Sequence, residues 1–519
     1  MTVNKSTKVV FFIVIATGLL SAAALMNGCG TKDNSSGYKL TGNVVEDGKN
    51  LVQLNCAKCH ALVPVDALNK NVWRFHTLPA MSKYLGVSHY STGYYKGERD
   101  TGGMSLIEWE TIVAYYEAMA PDTLVAQPKP TPLLNDLTGF KIVTPAEGKH
   151  FSYTTLATID PNSHKIYTSD QLFGTLNEWD SHLNVKTIAK LPSPAVNAIF
   201  NKGANGTSDI LLSCIGETQQ IDFANGRIID VKTSTTTDTA SQTLVASDLN
   251  RPVQTLEGDF NKDGLTDLIV LGQGKYKGGI YLLTQGANHS YTQTDISDQT
   301  GAVQAIAGDF NHDGWTDFMV LFGRGDEGIW MFLNDHKGGF TAKNLLRFPP
   351  VYGSTSFQLV DMDHDGLPDL VYTCGYNFRD SRIMKPYHGV YIFKNMGNWN
   401  FKRKWFYPIN GCTKAIAADF DGDGDLDRVT SAYFADLKND PAESCVYFEQ
   451  VSPFNFKAHV IPVSKYGRWL TMETGDYNND GKPDIILGNF SAGFVIQPDM
   501  KPFWNKFIPF IVLENDFKK

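Results

Sequence analysis

Five nine-residue segments in the second half of the sequence carry oxygen-bearing side chains at alternate positions. They begin at Asp259, Asp309, Asp361, Asp419 and Asp476, and we number them acidic loops one to five. Each has Asp or Asn at positions 1, 3 and 5, Gly at position 6 and Asp at position 9. These oxygens can converge on one centre because the glycine permits a sharp turn, and Ca²⁺ prefers six to eight oxygen ligands.

The acidic loops therefore predict about five calcium ions, each with a structural role, because an ion would cancel clustered carboxylates and pin a hairpin. The alternative is a set of Asx-turn loops without metal. Position 7 would contribute its backbone carbonyl, and the Asp at position 9 would complete the set. The predicted ligands are Asp259, Asn261, Asp263, Leu265 and Asp267; Asp309, Asn311, Asp313, Trp315 and Asp317; Asp361, Asp363, Asp365, Leu367 and Asp369; Asp419, Asp421, Asp423, Asp425 and Asp427; and Asp476, Asn478, Asp480, Lys482 and Asp484.

A second constellation near the N-terminus has the spacing C-x-x-C-H, formed by Cys56, Cys59 and His60. Two thiols at this spacing can add to the vinyl groups of haem, and the adjacent histidine can bind the iron. A bare C-x-x-C would also suit a redox dithiol or half of a zinc site, but the appended histidine argues against both. The motif predicts one covalently bound haem c.

The distal iron ligand has three candidate solutions in the sequence. Met81 lies 21 residues after His60 and is the first choice, and Met104 is its competitor. A second imidazole, from His76 or His89, would give a bis-histidine iron instead. Met81 could also simply fill the core of the domain. A thioether ligand raises the reduction potential relative to a second imidazole, which suits an electron acceptor.

The residues around the haem motif predict two helices. One runs from Val44 to Leu54 into the motif, and the other begins at Leu106 after a capping box formed by Ser105 and Glu108. This arrangement resembles class I c-type cytochromes over residues 40–122, which implies a small all-α domain. Residues 123–138 are rich in proline and are predicted to form an extended linker.

The acidic loops recur at spacings of 50, 52, 58 and 57 residues, and an apolar strand follows each of them. Two degenerate loops, at Asp160 and Ile199, bring the number of repeats to seven. The pattern resembles FG-GAP or VCBS repeats, which implies a seven-bladed β-propeller over residues 139–519. The predicted fold class is thus an all-β seven-bladed β-propeller with a small all-α cytochrome c domain at the N-terminus.

The register of the repeats also predicts how the ring closes and which end binds a ligand. The segment from Phe140 to Thr144 should supply the missing outer strand of the last blade.

The end opposite the acidic loops carries long insertions at 375–389, 432–444 and 489–507. Its aromatic and cationic residues predict a binding face for an acidic glycan, a small anionic metabolite or a protein partner; solvated loops are the alternative. These residues are Tyr352, Tyr376, Arg379, Arg382, Lys385, Tyr387, His388, Lys414, Tyr466, Arg468 and Trp469.

Residues 1–28 resemble a bacterial lipoprotein signal peptide, with Lys5 and Lys8 before an apolar stretch and Gly28 before Cys29. An uncut membrane anchor is the alternative. The resemblance implies lipidation of Cys29, a polar tether at 29–39, and a place in the bacterial envelope, at the outer membrane, on its periplasmic side or at the cell surface.

Among the remaining cysteines, Cys374 and Cys412 are a candidate disulfide, with four free thiols as the alternative.

Composition narrows the function further. The 519 residues contain 46 Lys and Arg against 55 Asp and Glu, a net charge of -9, so the chain lacks the positive field of a nucleic-acid binder. We interpret it as an exported, lipid-anchored monohaem electron-transfer protein whose propeller docks a redox protein partner or a ligand. A propeller oxidoreductase, or a polysaccharide-active enzyme, is the alternative. No catalytic residue is assigned, and enzymatic activity is not the favoured interpretation.

Overall fold

The computed structural model describes residues 37–90, 93–96, 103–136, 139–203, 207–218, 222–233, 239–377, 383–493, 497 and 499–518. Cys29, Arg379 and Arg382 lie outside these residues. The chain divides into two compact units, residues 1–58 with 69–122, and residues 59–68 with 123–519. None of the helices that the structure describes is both long and apolar enough to cross a membrane.

The first unit is mainly helical. Asn43 caps the first long helix by accepting hydrogen bonds from the amides of Val45 and Glu46. The predicted capping box of the last helix is present, with the Ser105 and Glu108 side chains each bonded to the other residue's backbone. The elements are α1 Val44–Asn55, α2 Lys70–Val72, a π-helical turn Trp73–Thr77, α3 Leu78–Ser82, α4 Leu106–Met119, and a hairpin of β1 Ser88–Tyr90 with β2 Gly93–Tyr95.

Helices α1 and α4 pack closely because a glycine lies at their contact. A Cβ added to Gly48 would lie 2.2 Å from the Cβ of Tyr115, so a larger residue would force the helices apart. Next to this contact, the rings of Trp73 and Tyr116 lie 4.0 Å apart between centroids. Leu51 and Trp109 are fully buried in the same core.

The second unit is a seven-bladed β-propeller. The first five blades are antiparallel sheets of four strands in chain order, and the sixth and seventh each include a strand from an earlier part of the chain. The blades are β5 Thr154–Ile159, β6 Ile166–Asp170, β7 Thr175–Trp179, β8 Val185–Lys190; β9 Ala195–Lys202, β10 Ser208–Cys214, β11 Gly226–Lys232, β12 Ser241–Leu249; β13 Pro252–Gly258, β14 Asp267–Gly272, β15 Gly279–Gln285, β16 Tyr291–Ser297; β17 Ala302–Gly308, β18 Asp317–Phe322, β19 Gly328–Asn334, β20 Phe340–Arg347; β21 Ser354–Val360, β22 Asp369–Cys374, β23 Gly389–Asn395, β24 Phe401–Pro408; β25 Lys414–Ala418, β26 Asp427–Ser431, β27 Cys445–Ser452, β28 Asn455–Val460; and β29 Trp469–Gly475, β30 Asp484–Asn489, β31 Phe510–Asn515.

The ring closes as the repeat register predicts. The seventh blade contains β29, β30 and β31, and its fourth strand is β4, Phe140–Val143, from the other end of the propeller sequence. Phe140 pairs with Asn515 and Val143 pairs with Val512 in antiparallel register. The inner strand β5 of the first blade contacts β29 of the seventh. This closure removes a free sheet edge, which would otherwise template pairing with another chain.

The proline-rich segment predicted as a linker is partly docked on the propeller. Leu133–Leu134, strand β3, pairs in parallel with Ala458 and His459 of β28, so the sixth blade has five strands. Lys129 forms ion pairs with Glu443 at 2.7 Å and Asp440 at 3.0 Å. The sequence composition indicated an extended backbone but carried no signal for these contacts.

Candidate functional site

The acidic loops connect the first and second strands of blades three to seven, so all five lie at the same end of their blades. In loop one, the Asp259 carboxylate accepts hydrogen bonds from the amides of Asp263 at 3.2 Å and Gly264 at 3.0 Å. Asn261 also accepts from the amide of Asp263. Loops two and five repeat this pattern at Asp309 and Asp476. The turn therefore gathers the side chains of positions 1, 3 and 5 around its backbone.

Two positions of each acidic loop have a left-handed backbone. The glycine at position 6 has φ between 81° and 101°, which explains why this position carries glycine in all five loops. Position 4 also has positive φ, although it is occupied by Lys262, His312, His364, Gly422 and Asn479. Sequence reasoning identified the first position and missed the second.

The Asp at position 9 ties each acidic loop to its blade. Asp427 is fully buried and accepts hydrogen bonds from the amides of Phe420 and Gln450 and from the Tyr447 hydroxyl. The other four loops have the same pair of amide bonds. Burial raises the pKa of Asp427 to about 7 and that of Asp484 to about 7. Position 9 thus has a structural role besides any role as a metal ligand.

The donor set of the acidic loops has the composition that calcium prefers. In loops three and four, three carboxylates offer oxygens that lie within 4.8 Å of one another, Asp361 with Asp363 and Asp365, and Asp419 with Asp421 and Asp423. Loops one, two and five have Asn at position 3, so an amide oxygen takes the place of one carboxylate. These oxygens fit a hard cation such as Ca²⁺.

Loops three and four differ in what surrounds their carboxylates. In loop three, the ammonium of Lys394 contacts Asp363 and lies 2.9 Å from Asp365. In loop four, Asp425 replaces the Leu367 of loop three. Each loop has one carboxylate oxygen that is buried without a hydrogen-bond partner, Oδ1 of Asp363 in loop three and Oδ1 of Asp425 in loop four. Burial and the neighbouring carboxylates raise the pKa of Asp425 to about 6.

The degenerate loop of the first blade satisfies its aspartate with hydroxyl groups. Asp160 is fully buried and accepts from the hydroxyls of Ser163 and Ser208, each at 2.6 Å. Its second oxygen accepts from the amide of Asn162 at 2.9 Å. The loop that follows β9 is described only in part, because residues 204–206 lie outside the described residues.

The haem motif follows α1 directly. The helix ends at Asn55, a 3₁₀ turn covers Cys56–Lys58, and both motif cysteines are free thiols. The Nδ1 atom of His60 is 2.8 Å from the carbonyl oxygen of Ala61. Such a bond fixes the tautomer that protonates Nδ1 and leaves Nε2 free to bind a metal, as is usual for histidine ligands. These features fit covalent haem attachment.

The two candidate methionines differ in exposure. The Met81 side chain, on α3, is 37% exposed, whereas Met104, just before α4, is 2% exposed. His76 is also exposed, and the ring of His89 lies 4.9 Å from that of Tyr94. Met81 stays the predicted distal ligand, and the variants described below test it.

Several residues assigned to the predicted binding face are buried instead of presented to solvent. Lys385 and His388 are 3% and 1% exposed, and Lys385 donates to the carbonyl of Val351. Arg468 is 3% exposed and donates to the carbonyls of Ala492 and Tyr433. Burial lowers the pKa of Lys385 to about 8. Cationic residues of loops therefore serve packing here, which composition alone could not distinguish from binding.

A pocket of about 510 Å³ remains near this end of the fifth blade. The rings of Tyr352 and Tyr387 stack at 4.6 Å on one side of it, and β24 contributes Arg403 and Trp405. Lys404, Tyr391 and Phe406 also line it. Aromatic faces with two cationic groups suit a flat or sugar-like ligand that carries a negative charge.

The candidate disulfide is absent from the structure. Cys374 and Cys412 are both free and fully buried, as are Cys214 and Cys445. The backbones do approach, because a Cβ added to Gly375 would lie 2.1 Å from the carbonyl oxygen of Cys412. The Cys374 thiol instead donates to the carbonyl of Tyr387. The two positions are thus close as predicted, but the thiols have other partners.

Comparison with known proteins identifies the repeat. A family profile for the FG-GAP-like repeat matches residues 259–320 and residues 309–372, which contain acidic loops one to three. The chain therefore carries FG-GAP-like repeats within its seven-bladed propeller. No curated protein matches the chain.

Two solved structures resemble the chain weakly. A luciferin-regenerating enzyme has 12% sequence identity and a TM-score of 0.35, over 58% of this chain and 90% of its own. BBS1N from a complex with ARL6DN has 7% identity and a TM-score of 0.42, over 73% of this chain and 98% of its own. Similarities of this size carry no information about function.

Proposed function

We propose that this protein is an exported, lipid-anchored electron carrier in the bacterial envelope, with one covalent haem c and a calcium-stabilised propeller that docks a partner. The observation that carries the proposal is the C-x-x-C-H motif at the end of α1, with the His60 ring held at Nδ1. The close α1–α4 packing at Gly48 supports it, because it matches the helix pair that the cytochrome resemblance implies.

In this proposal, Cys56 and Cys59 hold the haem through thioether bonds, His60 is the proximal iron ligand and Met81 is the distal ligand. The haem supplies reversible one-electron chemistry. The protein contributes attachment, axial ligands and a surface for its redox partner. Cys29 would carry the lipid that keeps the protein at the membrane.

Haem attachment is tested by replacing Cys56 and Cys59 with Ala in the full-length protein. We expect wild-type protein to keep its haem through acid-acetone extraction and the double variant to lack covalent haem, with an unchanged propeller. Complete extraction of the haem from the wild type would contradict the proposal. Additional quinone or second-haem absorption bands in the purified wild type would favour the alternative, a propeller oxidoreductase.

The distal ligand is tested by comparing Met81→Ala with Met104→Ala. If Met81 binds the iron, its replacement should shift the absorption spectrum toward high-spin iron, and the Met104 variant should keep the wild-type spectrum. The reverse result would assign Met104. An unchanged spectrum in both variants would point to His76 or His89.

The pocket of the fifth blade is our candidate for the ligand site of the propeller. We propose an acidic glycan as its ligand class, because Arg403 and Lys404 would bind carboxylates and Tyr352 and Trp405 would stack on sugar faces. Oligogalacturonate is a suitable probe in isothermal titration calorimetry. Arg403→Ala should weaken its binding at least tenfold, whereas Lys402→Ala, on the same strand outside the pocket, should not. Equal affinity of both variants would reject this site.

A further inference from the structure

The acidic loops share one sequence signature, yet the third strand of the blade places residues of different charge at the same register beside them. In every acidic-loop blade, the Asp at position 9 accepts a hydrogen bond from one amide of the third strand or its end, for example from Gln285 in loop one and from Asn395 in loop three. Because this hydrogen bond is present in all five blades, the residues next to its donor are structurally equivalent. The residue immediately before that amide is Thr284, Leu333, Lys394, Glu449 and Glu514 in loops one to five.

Loop three is the one that has a lysine at this register. The Lys394 ammonium contacts Asp363 and Asp365, which are positions 3 and 5 of the predicted calcium site. Among the described residues, no other lysine or arginine forms an ion pair with an acidic-loop residue at positions 1 to 7. The lysine side chain is 22% exposed, so its charge is partly shielded from water.

We propose that the ammonium of Lys394 takes the place of calcium in acidic loop three. This inference rests on the proposed calcium binding of the other four loops. A Ca²⁺ ion on the same carboxylates would lie within a few ångströms of a like charge, which opposes its binding. The tethered ammonium needs no ion from solution, so loop three keeps its turn at any calcium concentration.

Two histidines approach other acidic loops but do not act in the same way. The Nε2 atom of His336 is 2.8 Å from Asp313 in loop two, and the Nδ1 atom of His164 is 2.6 Å from the carbonyl oxygen of Asp476 in loop five. An imidazole can release its proton when a cation binds nearby, whereas a lysine ammonium stays charged at neutral pH. Loops two and five therefore keep the charge that attracts calcium.

The experiment counts calcium in the purified full-length protein by native mass spectrometry, after equilibration with excess calcium. We expect four ions in the wild type and five in Lys394→Met, which removes the charge and keeps the length of the side chain. Lys402→Met is the matched control, because Lys402 pairs with Lys394 in the register of β23 and β24 and lies outside the pocket. This control should bind four ions.

The reverse substitution tests the same idea in a loop that should bind calcium. Thr284→Lys places an ammonium at the equivalent register of loop one and should reduce the count to three. Without calcium, Lys394→Met should also melt at a lower temperature than wild type, and calcium should restore it. This thermal readout stays informative even if the extra ion is weakly held.

The possible outcomes distinguish a failure of the proposed role of Lys394 from a failure of the proposed calcium binding. Five ions in both the wild type and Lys394→Met, or four in both together with unchanged melting, would overturn the role of Lys394 while leaving calcium binding in place. A count of zero in every variant would overturn calcium binding and this inference together.

Discussion

Acidic loops three and four lie on neighbouring blades and have similar backbone turns, yet loop four carries more negative charge than loop three. Both use the position 1 carboxylate, Asp361 or Asp419, to hold the amide of the position 6 glycine. Loop three has four carboxylates and the ammonium of Lys394. Loop four has five carboxylates, with Glu449 of the third strand as an additional charge beside Asp421.

The nine-residue signature fixes the turn in both loops. Under our proposal, a residue outside the signature decides whether the turn needs an external cation. Among the described residues, no lysine or arginine forms an ion pair with the carboxylates of loop four, whereas Lys394 pairs with two carboxylates of loop three. Clustered like charges that are removed from water are destabilising unless a cation compensates them. We therefore expect loop four to depend strongly on calcium and loop three to be independent of it.

The largest effect should follow from removing calcium with a chelator. A ligand present at 100 times its dissociation constant stabilises by about 2.7 kcal/mol per site, so four sites should lower the melting temperature of the propeller by on the order of 10 °C. Hydrogen exchange of backbone amides measures the calcium dependence of each loop separately. Amides of residues 419–427 should exchange faster after chelation, and those of residues 361–369 should not. Equal loss of protection in both loops would show that loop three depends on calcium as much as loop four does.

Replacing the position 1 carboxylate should have a smaller effect and should differ between the two loops. Asp419→Ala removes acceptors for the amides of Gly422 and Gly424 as well as a calcium ligand, so we expect a loss of about 4 kcal/mol in the free energy of unfolding. Asp361→Ala removes acceptors for Asp365 and Gly366, at a cost of about 2 kcal/mol. Urea unfolding measures both values, and in chelator the difference between the variants should vanish.

The sequence predicted the repeat, the turn at the position 6 glycine and the ring closure, because each of these is a local pattern repeated in register. Phe140 stands where an outer strand should begin, and it completes the seventh blade. Lys394 was missed because it lies 31 residues beyond Asp363, outside the signature. Aligning the residues before Asn395 and its equivalents would have revealed it.

The direction in which individual side chains point could not be predicted from the sequence. Cys374 and Cys412 were placed on neighbouring blades correctly, since the backbone at Gly375 meets Cys412. The direction of each thiol depends on local packing, here on the carbonyl of Tyr387. The same limit applies to Arg468, whose exposure depends on the carbonyls around it.

A buried carboxylate outside the acidic loops allows the cost of burying a charge to be measured apart from the effect of calcium. Glu327 is buried and accepts from the amides of Gly353 and Ser354 and from the Ser354 hydroxyl. Burial raises its pKa to about 7, so between about pH 4.5 and 7 the folded protein keeps a proton that the unfolded chain has lost. Stability should therefore fall by on the order of 3 kcal/mol as the pH rises through this range.

Glu327→Gln should remove this loss of stability, because the glutamine side chain does not ionise in this pH range. The measurement is the free energy of unfolding between pH 4.5 and 7.5 for both proteins, with and without calcium. The difference in slope between wild type and variant should be the same in both conditions. A slope difference that appears only without calcium would assign the pH dependence to the acidic loops instead.

The smallest expected effect concerns the charge beside loop four. Glu449 is partly neutralised by Lys457 at 2.9 Å, so its influence on a calcium ion in loop four should be weak. Glu449→Gln should reduce the calcium affinity of loop four about threefold, which corresponds to about 0.7 kcal/mol. Lys457→Met should change the affinity in the opposite direction, because it frees the Glu449 charge. Calcium titrations at low and high salt measure both effects, which should shrink as the ionic strength rises. If both substitutions changed the affinity in the same direction, the third-strand charge would not influence calcium binding in loop four.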